Sequence, residues 1–206
     1  MADAMPKANE SRNYPNFFLS LDITDTTVKA NATEVQQRIA SYIPNYAKYT
    51  EPESSLHITL ALINLIDRAE ISRCSTILTS MEPNLAELAR DVPPLNLRGV
   101  GNFGEGTIFA KVQGSRRFFD FVTVLTERLQ NGGIYIIRQN AIYTPHLTLV
   151  KCPRGMRGKA SPETVAQCIR RLQDVEFGTQ MLDSVHLYEM GRVNNRYRET
   201  AVITLY

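Results

Sequence analysis

Two histidines share one local pattern. His57-Ile58-Thr59-Leu60 and His146-Leu147-Thr148-Leu149 both read His-x-Thr-Leu, in a chain of 206 residues that holds only three histidines. On a strand, residues i and i+2 project to the same face, so each imidazole stands beside a hydroxyl. Unperturbed histidine titrates at about 6.5, near neutrality. A neutral ring can take a proton from an attacking hydroxyl while a second, as imidazolium, protonates a leaving oxygen. Two threonine hydroxyls can donate hydrogen bonds to the non-bridging oxygens of a phosphoryl group. This set suits metal-free transfer of a phosphoryl group between oxygens. A ribose hydroxyl beside the phosphate would give a cyclic phosphate, and water would open one. Either segment alone is an ordinary piece of strand; the repetition makes the pair a candidate catalytic set. The pair offers no third ligand at metal-binding spacing, and zinc takes three or four, so neither a metal nor a cofactor is expected.

The elements that must position these residues follow from periodicity. Phe17 to Ile23 reads as a strand, with Phe17, Leu19, Leu21 and Ile23 on one face and Phe18, Ser20 and Asp22 on the other. A helix from about Thr27 carries Val28, Ala32, Val35, Ile39 and Tyr42 as an apolar stripe, and Pro44 ends it. In the strand Leu56 to Ile63, Leu56, Ile58, Leu60 and Leu62 face the core, with His57, Thr59, Ala61 and Ile63 opposite. Asp67 and Glu70 form a capping pair for a helix through Ile71, Cys74, Leu78 and Met81. Pro93 and Pro94 precede a short strand, Leu95 to Val100.

The same order then recurs. Gly101, Gly104 and Gly106 make a turn before the strand Thr107 to Val112. A helix from Ser115 carries Phe118, Val122, Leu125 and Leu129 and ends at Gly132-Gly133. Ile134 to Ile137 is an apolar segment leading to the strand His146 to Val150. Ser161-Pro162 opens the last helix, with Val165, Ile169 and Leu172 on its apolar face. Met181 to Tyr188 and Tyr197 to Leu205 close the chain as a hairpin turned by Asn194-Asn195.

The halves overlay. His146 lies 146 − 57 = 89 residues after His57, the helix starts Ser115 and Thr27 differ by 115 − 27 = 88, and the strand starts Thr107 and Phe17 by 107 − 17 = 90. Three landmarks in register predict an internal duplication. The expected fold class is α+β, as two antiparallel sheet-and-helix lobes related by a pseudo-two-fold around a central cleft. Residues 1–13 read as a flexible tail and 14–206 as a single bilobal domain.

Composition narrows the class of partner. Lys and Arg total 23 against 21 Asp and Glu, a formal net charge of +2, which lacks the basic excess of a duplex-DNA binder. No apolar run approaches the ~20 residues of a membrane span, and the first residues show no secretory signal. Cys74, Cys152 and Cys168 have neither CxxC nor metal-ligand spacing and read as reduced thiols, which points to a cytoplasmic location.

The paired motifs resemble those of the two-histidine (2H) phosphoesterases, the LigT-like superfamily. Pro15-Asn16-Phe17-Phe18-Leu19-Ser20, Leu56-His57-Ile58-Thr59-Leu60, Gly99-Val100-Gly101-Asn102-Phe103-Gly104 and Pro145-His146-Leu147-Thr148-Leu149 resemble the phosphoesterase module of the A-kinase anchoring protein branch. The phosphoesterase domain of the activating signal cointegrator subunit is a second relative. The resemblance covers Tyr14 to about Tyr206 and implies a bilobal fold with a central cleft. It also implies hydrolysis of 2′,5′-linked oligoadenylate or of a 2′,3′-cyclic phosphate, or binding of AMP or RNA without turnover. The chain ends in a strand-like segment, so a kinase regulatory subunit is not expected as a partner. Nor is the RNA recruitment of the cointegrator subunit, because only about thirteen residues precede Tyr14. A short oligonucleotide or nucleotide substrate and a monomeric state are expected.

His57, His146, Thr59 and Thr148 are therefore the candidate catalytic residues. Phe18 and Tyr143 are candidates to stack on a base. Lys151 heads a basic loop with Arg154, Arg157 and Lys159, able to steer a polyanion or to serve nuclear import. Arg192, with Arg196, is a candidate phosphate contact. Phe103 reads as packing in a tight turn and His186 as structural.

Overall fold

The computed structural model describes residues 14–137, 143–153, 155–156 and 159–206. The tail 1–13 and the basic-loop residues Arg154 and Arg157 lie outside the described residues.

Nine strands and five α-helices, with short 3-10 helices at Pro44–Tyr49 and Glu53–Ser55, follow in order among the described residues: β1 (Phe17–Asp22), α1 (Thr26–Tyr42), β2 (His57–Asn64), α2 (Arg68–Ser80), α3 (Glu82–Arg90), β3 (Leu95–Phe103), β4 (Thr107–Gln113), α4 (Arg116–Asn131), β5 (Tyr135–Ile136), β6 (His146–Lys151), α5 (Pro162–Arg171), β7 (Glu176–Gln180), β8 (Ser184–Val193) and β9 (Arg196–Thr204). The helix starts are built by capping side chains. Asp25 accepts from Val28 N at 2.8 Å, Asp67 from Glu70 N at 2.8 Å, and Ser115 from Phe118 N at 3.2 Å. Each satisfies an amide that the first helical turn leaves without a partner. Glu70 returns the favour at the second site, accepting from Ile66 N at 3.0 Å.

The strands form one curled antiparallel sheet in the order β7-β3-β4-β6-β2-β1-β8-β9, with β5 also on β2. The two His-x-Thr strands meet at the centre of this order, and the sheet divides there into a lobe of four strands, β7-β3-β4-β6, and a lobe of β2-β1-β8-β9 with β5 added on β2. The lobes are not simply the halves of the chain. The C-terminal hairpin β8–β9 extends the lobe that β1 and β2 begin, while β3 and β7 extend the lobe of β4 and β6. The core is one continuous cluster from Phe17 to Leu205. It includes the stripe Val28, Ala32, Val35 and Ile39 of α1, all 1% exposed or less.

Several sequence expectations are corrected. β7 and α3 were not anticipated: β7 buries only Phe177 and Gln180, too few for a period to show, and α3 starts immediately after α2 with Pro83 in its first turn. β3 runs on to Phe103, so Gly101 lies in a strand and not in a turn. There its small size has a use, because a Cβ at Gly101 would lie 2.8 Å from Cε2 of Phe109. The face assignment of Ile63 is reversed. In the β1–β2 register Leu19 pairs with Ala61 and Ser20 with Thr59, so Leu60 is an extra residue. This bulge flips the alternation beyond it: Ile63 enters the core at 0% exposure, and Leu62 turns to the cleft. The same bulge recurs on β6, where Ile108 pairs with Val150 and Phe109 with Thr148, skipping Leu149. The Leu149 carbonyl accepts from Glu51 N at 2.9 Å and from the buried Gln36 Nε2 at 3.0 Å. Thus α1 holds the second motif in place from behind.

Candidate active site

β2 and β6 touch at one antiparallel pair, Ile58 with Leu147. The residues on either side of that pair face the cleft. His57 stands across from Thr148, and Thr59 across from His146. Each histidine therefore has its own threonine along the strand and the other motif's threonine across from it. The two histidines are diagonal neighbours, a relation that puts Cβ atoms about 7–8 Å apart.

Both rings are anchored in the same way. His57 Nδ1 lies 2.7 Å from the Ser55 carbonyl, and His146 Nδ1 lies 2.8 Å from the Thr144 carbonyl, in each case two residues upstream. A carbonyl only accepts, so Nδ1 carries the proton and Nε2 is the reactive nitrogen. Ser55 is itself tied down, its hydroxyl donating to the Asn195 carbonyl at the tip of the β8–β9 hairpin. Asn194 and Asn195, with φ of 52° and 63°, form that tip, as the sequence predicts.

Burial pushes both histidine pKa values below their ordinary value, because it penalises the charged ring. The hydrogen bond to Ser55 and the charge of Asp22 oppose this at His57, while Lys151 and His146 add to it. At His146 the bond to Thr144 opposes it and Lys151 adds to it. Lys151, exposed at the end of β6, is within electrostatic reach of both rings.

The other candidates divide. Tyr143 lines the cleft beside Thr59 and His146, and its hydroxyl donates to the Thr59 carbonyl at 3.0 Å. Phe18 lies on the cleft side, but it is only 3% exposed. Its ring packs 5.0 Å from the His57 ring and 4.8 Å from that of Tyr197. It supports the histidine and has no open face for a base. Arg192 is engaged elsewhere: it pairs with the buried Glu51 and lies over the Tyr197 ring at 5.6 Å. Arg196, from the same hairpin, lines the His57 pocket.

Phe103, read from the sequence as packing in a turn, packs as expected but does so at the edge of the cleft. It is 49% exposed, and its ring meets His146 edge-on at 5.0 Å while packing on Phe109 at 4.4 Å. A glycine-flanked aromatic reads as turn packing until β3 is placed beside the cleft. Asp22, Tyr188 and Tyr197 were missed; they surround His57 from β1, β8 and β9. His186 is structural, as expected: it bonds Glu199 at 2.7 Å and Ser184 at 3.0 Å and stacks on Tyr188.

Two cavities open on either side of the motif floor. One of about 370 Å³ lies by His57, among Asp22, Ser55, Tyr188, Tyr197 and Glu199. The other, about 550 Å³, runs from Thr59 and His146 along α4, between Phe103, Phe119, Tyr143 and Ile136. Among the described residues no group of three or more His, Cys, Asp or Glu is arranged to hold a metal. None of the described helices is long and apolar enough to cross a membrane.

The curled sheet with two facing His-x-Thr strands defines a two-histidine phosphoesterase of the LigT-like type. The family model of the AKAP7 2′5′ RNA ligase-like domain matches residues 15–205, and the chain belongs to that family. A-kinase anchor protein 7 isoform gamma of Homo sapiens is 24% identical over 197 residues. That match covers 92% of this chain and 56% of the relative, so the chain spans about half the relative's length. Among solved structures, TT0787 of Thermus thermophilus superposes with a TM-score of 0.62 at 19% identity, covering 92% of this chain and 97% of that one. LigT of E. coli in its apo form gives 0.59 at 14% identity, covering 92% and 96%. At these identities the solved structures speak for the fold.

Proposed function

We propose that this protein is a metal-independent phosphodiesterase that cleaves 2′,5′-linked oligoadenylate, or a related short RNA-like strand, by two-histidine acid–base catalysis. The observation that carries this reading is the facing arrangement of His57 with Thr148 and of Thr59 with His146 about the Ile58–Leu147 pair. One Nε2 takes a proton from the attacking hydroxyl, and the other gives one to the leaving oxygen. The threonine hydroxyls hold the two non-bridging oxygens between the rings, where charge develops in the transition state. Both Nδ1 atoms are already committed to carbonyls, so no reorganisation of the rings is needed.

The larger cavity supports a nucleotide substrate. Its apolar wall with Phe103, Phe119 and Tyr143 suits a nucleobase, and it opens directly onto His146. A LigT structure was solved with 3′-AMP, which places an adenylate on a protein of the same fold.

The test is a substrate panel in excess chelator: 2′,5′- and 3′,5′-linked oligoadenylates and 2′,3′-cyclic nucleotides, with AMP affinity measured alongside. Turnover led by the 2′,5′ linkage is expected. AMP binding with no turnover of any member would overturn the enzymatic reading in favour of a nucleotide-binding module.

A further inference from the structure

The pseudo-two-fold that relates the motifs also relates their cross-strand neighbours. On β1, Asp22 pairs with His57; on β4, Lys111 pairs with His146. The offset between these neighbours, 111 − 22 = 89, equals that between the histidines, 146 − 57 = 89. Paired residues on an antiparallel ladder project to one face with Cβ atoms about 4.5–5.5 Å apart. Equivalent positions beside the two catalytic rings therefore carry opposite charge.

We infer that this charge difference assigns the catalytic roles: Asp22 makes His57 the general acid, and Lys111 makes His146 the general base. The inference rests on the phosphodiesterase reading above.

Asp22 is held in place as a hydrogen-bond acceptor. It accepts from the Tyr188 hydroxyl at 2.8 Å and from the fully buried Ser20 hydroxyl at 3.1 Å, and it lines the His57 cavity. Because the Nδ1 of His57 goes to Ser55, Asp22 acts through space and favours the imidazolium. The other charged and titratable groups around His57 are Tyr188 from β8, Arg196, Tyr197 and Glu199 from β9, and Lys151 and His146 from β6. Glu199 is already paired with His186 at 2.7 Å. Around His146, Lys111 is the paired residue on β4, Lys151 at the end of β6 is the cation that adds to burial in lowering its pKa, and Tyr143 and Glu127 line its cavity. The Lys111 stem leans over the glycines of β3, where a Cβ at Gly101 would meet its Cε at 3.3 Å, so its charge reaches His146 across β4 and not by contact. Aromatic rings cover both histidines alike, Phe18 and Tyr197 at His57 and Phe103 and Phe109 at His146, so the difference between them lies in the paired charges.

For a 2′,5′-linked strand the step balances as follows. The 3′-hydroxyl gives its proton to His146 Nε2 and its oxygen bonds to phosphorus. The bond from phosphorus to the 5′-oxygen breaks, and that oxygen takes the proton of His57 Nε2. A 2′,3′-cyclic phosphate and a 5′-hydroxyl result, and His57 and His146 have exchanged protonation states.

A sulfur-bridged substrate, with the 5′-oxygen replaced by sulfur, separates the roles. A thiol has a pKa of about 8.5, so a thiolate leaves without a general acid. On the oxygen substrate His57→Ala and His146→Ala should each lose ~10²-fold or more. On the sulfur substrate His57→Ala should recover most of its loss and His146→Ala should not. Asp22→Asn should move the alkaline limb of the pH–rate profile to lower pH on the oxygen substrate only. Lys111→Gln should move the acidic limb to higher pH on both substrates. A residue that only supports the fold would move neither limb. Recovery by His146→Ala instead, or an unmoved alkaline limb in Asp22→Asn, would overturn the assignment while leaving phosphodiester cleavage intact. Absence of wild-type turnover on both substrates would overturn the phosphodiesterase reading itself.

Discussion

The Tyr143 hydroxyl donates to the carbonyl oxygen of Thr59 at 3.0 Å, so the segment entering the second motif is bonded to the strand of the first. Its hydroxyl is held far above its ordinary pKa by burial, and it serves as a donor. Tyr143→Phe keeps the ring in the cavity wall and removes this single bond. The expected cost is about 0.5–1.5 kcal/mol of stability, with reduced turnover because Thr59 and His146 lose a common tether. Denaturant unfolding beside a turnover assay checks both, and an unchanged unfolding midpoint would deny the bond a role.

Gly101→Ala tests the support of His146 from below. The added methyl would sit 2.8 Å from Cε2 and 2.9 Å from Cζ of Phe109, whose ring packs on His146 at 5.1 Å. A rigid ring cannot yield without moving the imidazole. Overpacking of this kind costs about 1–3 kcal/mol, and turnover should fall with it. Normal stability with full activity would show that the Phe103–Phe109 stack has room to spare.

Stability should depend on pH through the two histidines. Both have folded-state pKa values below the unfolded value of about 6.5 because burial disfavours the charged ring. Between the folded and unfolded values the unfolded chain binds more protons, so stability rises with pH there. It is fully present above about 6.5 and is lost as pH falls towards the folded values. Thermal melts of His57→Gln and His146→Gln across this window should each show a shallower slope than the wild type. Parallel slopes in all three proteins would place the dependence on other groups.

Much of the site was legible because strand geometry is simple. The alternation that set His57 beside Thr59 and His146 beside Thr148 needs only i and i+2, and the 89-residue offset announced that the two would be equivalent. The Asp67–Glu70 cap, the Ser161-Pro162 helix start and the Asn194-Asn195 turn were equally local. What escaped was non-local. The bulges at Leu60 and Leu149 are a matter of pairing with β1 and β4, so the reversal of Leu62 and Ile63 had no signature in β2 itself. The hairpin β8–β9 covers Phe18 and leaves Phe103 open at the cleft, a difference that their own strands do not carry. Arg192 had a plausible charge, but its partner Glu51 lies 141 residues away in sequence. The Asp22–Lys111 contrast was present in the chain from the start, yet it gains meaning only when both are seen across from histidines.

The central claim is that two histidines do the chemistry without a metal. The direct measurement is turnover of 2′,5′-linked triadenylate in excess EDTA by the wild type, His57→Ala and His146→Ala. The wild type should keep its full rate, and each variant should fall by ~10²–10⁴-fold, the range typical of a general acid or base. Loss of the wild-type rate in EDTA with recovery on adding a divalent metal would contradict the claim, as would near-full activity in both variants.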